Sequence, residues 1–328
     1  MDHRNRFGRD SGIGVGGSMT GSPRQLRAVD ATMLDVEGVL DMRSLPDSGL
    51  RSEWDSIHIP DTQKKRLLSM AVLAATVRPH VERARVPLHG LILLVGRPGT
   101  GKTTLARGLA TRVAESLPQA GNWRFLEVEP HALVSAGLGG SQKKVRRLLQ
   151  ETIGEHASNG PLVVLLDEVE TLAADRYKLS LEANPVDVHR ATDAVLASLD
   201  DLARRFPSLL VLATSNFVDA IDAALLSRAD LVETIEPPDR AGVELILRDT
   251  LEELGKTWPA LRRISDSPEF KAAIDRAAGL DGRQLRKAVV AACAAEPATA
   301  LDPGKLKASA LIEAIEQAQV AQKVKEAR

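Results

Sequence analysis

From residue 90 onward the chain alternates short, nearly continuous apolar runs with amphipathic stretches. The runs are LILLV at 91–95, FLEV at 125–128, LVVLL at 162–166, LLVLA at 209–213 and LVETI at 231–235. Segments of four or five residues that are apolar on both faces suit strands of a parallel sheet covered by helices on each side, so this stretch predicts an α/β domain. Pro237 and Pro238 end that pattern. Beyond them DRAGVELILRDTLEEL, SPEFKAAIDRAAGL, GRQLRKAVVAACAA and PGKLKASALIEAIEQAQ repeat their apolar positions at helical spacing, which predicts a smaller all-helical domain. Upstream, WDSIHIPDTQKKRLLSMAVLAATV reads as an extended lead-in and then a helix with Leu67, Leu68, Ala71, Val72 and Ala75 on one face. The first fifty or so residues, with GIGVGGSMTGSP among them, offer too little apolar surface to offset the entropy of ordering. The predicted organisation is a flexible tail over 1–52, a large α/β domain over 53–237 and a small helical domain over 238–328.

Composition narrows the partners. In 328 residues, 43 Lys and Arg stand against 44 Asp and Glu, a net charge of −1 that gives no overall field toward nucleic acid or an anionic membrane. Three Trp, one Tyr and five Phe leave little for base stacking, which argues further against nucleic acid. The single cysteine, Cys293, lies in the apolar run AVVAACAA and reads as a small buried residue in a reducing compartment. His131 and His189 have no partners at metal-ligand spacing. No run approaches the ~18 residues of a membrane span, and MDHRNRFGRDSG lacks the apolar core of a secretory signal. These features together predict a soluble cytoplasmic protein.

The chemistry concentrates after the first strand. Gly96, Arg97, Pro98, Gly99, Thr100, Gly101, Lys102, Thr103 and Thr104 spell GRPGTGKTT, a G-x-x-x-x-G-K-[ST] match between an apolar strand and the helical LARGLATRVAESL. Glycines let the backbone curl so that successive amides face inward, and the helix N-terminus adds positive potential, making a cradle for a triphosphate. Lys102 is placed to reach the β and γ phosphates of ATP, and Thr103 to coordinate Mg2+. LVVLLDEVE puts Asp167 and Glu168 at the C-terminal end of another buried strand. There Asp167 suits the magnesium and Glu168 the attacking water. LLVLATSN then ends in Thr214, Ser215 and Asn216; the amide of Asn216 offers donors and an acceptor to both a γ-phosphate oxygen and that water.

Together with WDSI, LLDEVETLAADR, NPVDVHRATDAVLASLD, SRADLVETIEPP and GLDGRQLRKAV, these segments resemble the AAA+ ATPases, and within them the pachytene checkpoint ATPase family and its bacterial antiphage-defence relatives. The resemblance runs from about Trp54 to about Val289. It implies a P-loop domain with a five-stranded parallel sheet in the order 5-1-4-3-2 and a small all-α lid, assembled as a ring homo-hexamer that hydrolyses ATP with Mg2+. It also implies a substrate: a HORMA-domain protein, alone or bound to a cyclic-oligonucleotide synthase, disassembled or recycled in antiphage signalling.

By the same resemblance, Arg228 is the arginine finger that reaches a neighbour's γ-phosphate, and Arg283 is the lid arginine that senses nucleotide. Two segments would line the ring's pore. Ser135 to Lys144 offers Gly137 and Leu138 where eukaryotic members carry an aromatic, which implies a compliant, weak grip. Arg176 to Pro185 carries the only tyrosine, Tyr177. Two other readings of the fold stand beside the remodelling motor: a loader or initiator acting on DNA, which would show a steep salt slope, and a scaffold that ATP merely cements.

Overall fold

The computed structural model describes residues 38–128, 144, 146–171 and 185–326. Six strands form one sheet: β1 Val39–Ser44, β2 Leu91–Val95, β3 Arg124–Val128, β4 Leu162–Leu166, β5 Leu209–Ser215 and β6 Leu231–Thr234, in the spatial order β1-β3-β4-β5-β2-β6. The last five are parallel to their neighbours, whereas β1 pairs antiparallel with β3. With β1 set aside, the order read from β6 is the 5-1-4-3-2 expected, so the class stands and the sheet gains a sixth strand.

The apolar runs are strands because both of their faces are covered, and alternate residues divide cleanly between two cores. Leu91, Leu93 and Val95 join Leu162, Val164 and Leu166 and Leu209, Val211 and Ala213 on one face, with Leu199 and Leu202 of helix α4 (Pro185–Arg205). Ile92, Leu94, Val163, Leu165, Leu210 and Leu212 point to the other face, against helices α1 (Ser48–Ser56), α2 (Asp61–Val77) and α3 (Lys102–Ser116). All five residues of β4 are fully buried. At roughly 1.5 to 3 kcal/mol per large apolar side chain, that registry is strongly specified.

Residues 39 to 52 depart from the expected tail. β1 pairs through its backbone, with a bulge between Val39 and Asp41, and has no fully buried side chain. An edge strand of this kind carries little hydrophobic signal, and VLDMRS interleaves its few apolar residues with charged and polar ones. Asp47 then caps α1 by accepting from the amides of Gly49 at 2.9 Å and Leu50 at 3.0 Å. Leu50 and Trp54 bury one side of α1 against α3, where Gly108 makes room: a Cβ there would lie 2.6 Å from the Trp54 backbone nitrogen. Residues 1–37 lie outside the described ones.

Past Pro238 a separate apolar cluster forms among helices α5 (Arg240–Gly255), α6 (Pro268–Arg276), α7 (Gly282–Ala294) and α8 (Ala308–Glu326). Val243, Leu247, Phe270, Leu285, Val289, Leu311 and Ile315 are its centre, and Cys293 is buried at its edge, where burial pushes the thiol up. Asp281 starts α7 with a reciprocal cap: it accepts from the Gln284 amide at 2.8 Å, and Gln284 Oε1 accepts from the Asp281 amide at 2.8 Å. Among the described residues, no helix is long and apolar enough to cross a membrane. His131, Gly137, Leu138 and Tyr177 lie outside the described residues, as do most of the two expected pore segments.

Candidate functional site

β2 ends at Val95 and α3 begins at Lys102, so the loop Gly96–Gly101 crosses from strand to helix at the carboxyl edge of the sheet. Gly99 and Gly101 adopt φ of 88° and 93°, in the left-handed region. A Cβ at Gly99 would come 2.5 Å from the Asp281 carboxylate, and one at Gly101 would come 2.6 Å from Ile57 Cδ1. The loop therefore fits tightly between the cap of α7 and the lead-in to α2. Gly96 donates its amide to Ser215 O at 3.3 Å, and Thr100 folds its amide and hydroxyl onto Arg97 O at 3.4 and 3.0 Å. Arg97 and Pro98 form the exposed crest. Below them Lys102, Thr103 and Thr104 are the first turn of α3, whose amides lack intrahelical partners and favour an anion.

Lys102 is buried and donates three times: to Gly96 O at 2.8 Å, to Arg97 O at 3.0 Å and to Asn216 Oδ1 at 2.9 Å. Burial, aided by Arg283, lowers its pKa from the usual lysine value, while Glu170, Asp167 and Glu168 oppose the change. These acids arrive because β5 lies between β4 and β2, with Val95 opposite Ser215 and Leu166 opposite Ala213. Asp167 Oδ1 accepts from Thr103 Oγ1 at 2.8 Å and also from the Thr214 hydroxyl. The Asn216 amide is a bridge: Oδ1 accepts a hydrogen bond from Lys102 while Nδ2 donates to Glu168 Oε1 at 3.1 Å. Glu168 has φ of 52°, rare for a residue with a side chain, and its amide donates to Thr214 Oγ1 at 3.1 Å.

Beside the loop is a cleft of about 320 Å³ between the sheet domain and the lid. Gly99, Thr100, Gly101 and Thr104 form one wall, Ile57, His58 and Ile59 a second, and Gly282, Arg283 and Arg286 a third. Arg286 donates to Ser56 O at 2.6 Å, which ties α7 to the lead-in. The cleft's volume is at the lower end of the range for small-ligand sites.

The arrangement fits a hydrated divalent cation. Among the described residues no three His, Cys, Asp or Glu side chains cluster as a dedicated metal cage. Mg2+ needs none, since it keeps several waters and takes one or two protein oxygens together with substrate phosphate. Thr103 Oγ1 and the Asp167 carboxylate, already 2.8 Å apart, are such a pair.

Arg228 is not part of this constellation. It sits at the opposite end of β2, beside His89 and Leu91, roughly 13 Å of strand from the loop at ~3.3 Å per residue. Its guanidinium chelates Asp200, with Nη2 to Oδ2 at 2.7 Å and Nε to Oδ1 at 3.1 Å, and Nη1 donates to Ala224 O at 2.7 Å. Arg83 Nη2 holds the same carboxylate at 3.0 Å. Burial by itself would raise the Asp200 pKa, but the hydrogen bonds and charges of Arg228 and Arg83 carry it below the usual carboxylate value. Sequence reading missed Asp200, the Ser56–Ile59 wall with Arg286, and Glu170, which accepts from the Asn216 backbone amide at 3.1 Å. Only Glu170 left a legible sign, as the second glutamate of DEVE.

Comparisons with known proteins bear on the family and the fold. A family model described as "ATPase family associated with various cellular activities (AAA)" matches residues 92–237, from β2 to the end of the sheet. CD-NTase-associated protein 6 of Pseudomonas aeruginosa is 54% identical over 289 residues, spanning 88% of this chain and 94% of its own. The chain belongs to the family of that protein, within the AAA ATPases. A pachytene checkpoint protein 2 homolog of Danio rerio is 30% identical over 269 residues, 74% of this chain, and the chain spans 62% of that relative's length. The structure of an E. coli MS115-1 HORMA:CdnC:Trip13 complex is alike in fold, with a TM-score of 0.66 at 19% identity over 86% of this chain and 95% of the matched one.

Proposed function

We propose that this AAA ATPase-family chain hydrolyses ATP with Mg2+ and uses the cycle to remodel a HORMA-domain protein, free or bound to a cyclic-oligonucleotide synthase, in antiphage signalling. The observation that carries the hydrolytic part is the Asn216 bridge, which links the phosphate-binding Lys102 to Glu168, an acid otherwise suited to a water. In this reading the loop amides and Lys102 bind the β and γ phosphates. Lys102 gives up at least one of its three present acceptors to do so. Thr103 and Asp167 hold the magnesium, which when bound neutralises phosphate charge. Glu168 orients and deprotonates the attacking water, and Asn216 keeps that water and the γ-phosphate in line. Arg283 faces the cleft from the lid, placed to sense the nucleotide.

In this reading Arg228, at the far end of β2 from the loop, serves a second copy, and a ring homo-hexamer closes every site. The HORMA assignment draws support from the 54% identical protein, whose name associates it with a CD-NTase, and from the complex of like fold, whose title joins a HORMA protein, CdnC and Trip13. ATP turnover by the purified chain is the test. Glu168→Gln is expected to keep nucleotide bound while phosphate release falls at least about a hundredfold, the scale of a lost general base. Equal turnover by parent and variant would refute the mechanism.

A further inference from the structure

Glu170 lies two residues past Glu168, in the short 3-10 turn Val169–Thr171 that leaves β4. That turn is fixed to Glu168 itself: the Thr171 amide and hydroxyl both donate to Glu168 O, at 3.1 and 3.0 Å. From it the Glu170 side chain reaches across to the tip of β5, where Oε1 accepts the backbone amide of Asn216 at 3.1 Å. Asn216 has just left the ladder; Ser215 is the last residue of β5. Its amide would otherwise lack a strand partner, and a buried unsatisfied N–H is costly. The other oxygen, Oε2, is shielded from solvent and has no hydrogen-bond partner among the described residues. The carboxylate therefore reaches inward to the Asn216 backbone, and from there its charge also favours the Lys102 ammonium.

We propose that Glu170 is a positioning residue for hydrolysis: it anchors the Asn216 backbone so that the Asn216 amide spans Lys102 and Glu168. The inference rests on the hydrolytic reading given above and adds to it the group that holds the bridge in place. Side-chain bonds of 2.9 and 3.1 Å to two different partners leave the amide little tolerance for movement of its own backbone. Without Glu170 the strand tip can shift, and Asn216 then meets one partner or the other. Phosphate binding by the loop does not depend on that bridge, so the loss falls on kcat and spares KM.

Two conservative variants of the full chain separate the acceptor from the charge. Glu170→Gln keeps an oxygen at the right reach without the charge. Glu170→Asp keeps the charge but is one methylene too short. Expected results are a kcat for Glu170→Gln within about threefold of the parent, a kcat for Glu170→Asp lower by about tenfold or more, and KM for ATP little changed in both. A loss confined to Gln, a loss in both, or a loss in neither would overturn the proposal. Combining Glu170→Asp with Asn216→Ala gives a second measure. The double variant should turn over no more slowly than Asn216→Ala alone, whereas multiplied losses would mean that Glu170 acts apart from Asn216. Thermal midpoints of all variants check that they are folded. If Glu168→Gln and Asn216→Ala themselves turn over like the parent, the hydrolytic reading fails first; if they are impaired and the Glu170 variants are not, only the present inference falls.

Discussion

At the scale of single residues, the site is built from groups that would be unfavourable elsewhere. Lys102 is a buried ammonium, Glu168 takes a left-handed backbone, and Glu170 has one shielded oxygen with no hydrogen-bond partner among the described residues. Lys102 gives a testable consequence. Its pKa in the folded chain lies below the ordinary 10.5, with burial the main cause, so the fold penalises the charged form. The sign follows from linkage: the penalty is present in full below the folded pKa and is relieved as pH rises from that value toward 10.5. The parent without nucleotide should therefore gain stability relative to Lys102→Met as pH climbs through that alkaline window, read as the difference between their denaturation midpoints. A constant difference would mean that Lys102 titrates as an ordinary lysine. ATP, which stabilises whatever binds it, should raise the midpoint of the parent and not that of the variant.

At the scale of elements, the sequence announced what was apolar and repetitive and hid what was held by backbone or by a few anchors. The runs at β2, β4 and β5 are buried on both faces, and their sheet order follows from the family the motifs resemble. Asp167, Glu168 and Asn216 were legible because each ends such a run. β1 and α1 were not: β1 contributes hydrogen bonds rather than a core stripe, and α1 depends on one cap and two large side chains. Arg286 and the Ser56–Ile59 wall were invisible for a similar reason, since a backbone carbonyl that meets an arginine 230 residues away leaves no local pattern. The structured reading of 39–56 predicts that Trp54→Ala costs about 3 to 5 kcal/mol in denaturant unfolding, the range for an aromatic removed from a core. Lys64 adds to the anchor, with its ammonium 5.2 Å from the Trp54 ring centre and 2.8 Å from the Trp54 carbonyl. A cost below about 1 kcal/mol would mean that α1 does not anchor residues 39–52 to the sheet domain.

At the scale of the whole molecule, the proposed function asks one chain to hold two halves of different sites. The phosphate loop, Asp167, Glu168 and Asn216 gather at the carboxyl edge of the sheet, while Arg228 is fixed near the opposite end of β2 by Ala224 O and by Asp200, which Arg83 also holds. A guanidinium so placed is too far from the γ-phosphate site of its own chain, whereas a head-to-tail neighbour could present its loop to it, the kind of contact that forms a ring where the rotation closes. Two variants expose this division. Arg228→Ala retains the pocket and lacks the finger; Glu168→Gln retains the finger and lacks the water-activating acid. Each alone should release phosphate at least about a hundredfold more slowly than the parent. Co-expressed in equal amounts, they form interfaces at random, and about a quarter of these pair an intact pocket with an intact finger. The mixed assembly should then recover turnover of that order, far above the sum of the two variants. If Arg228 acted on its own chain or only held the fold together, no pairing would supply what either variant lacks, and mixing would give the sum and nothing more.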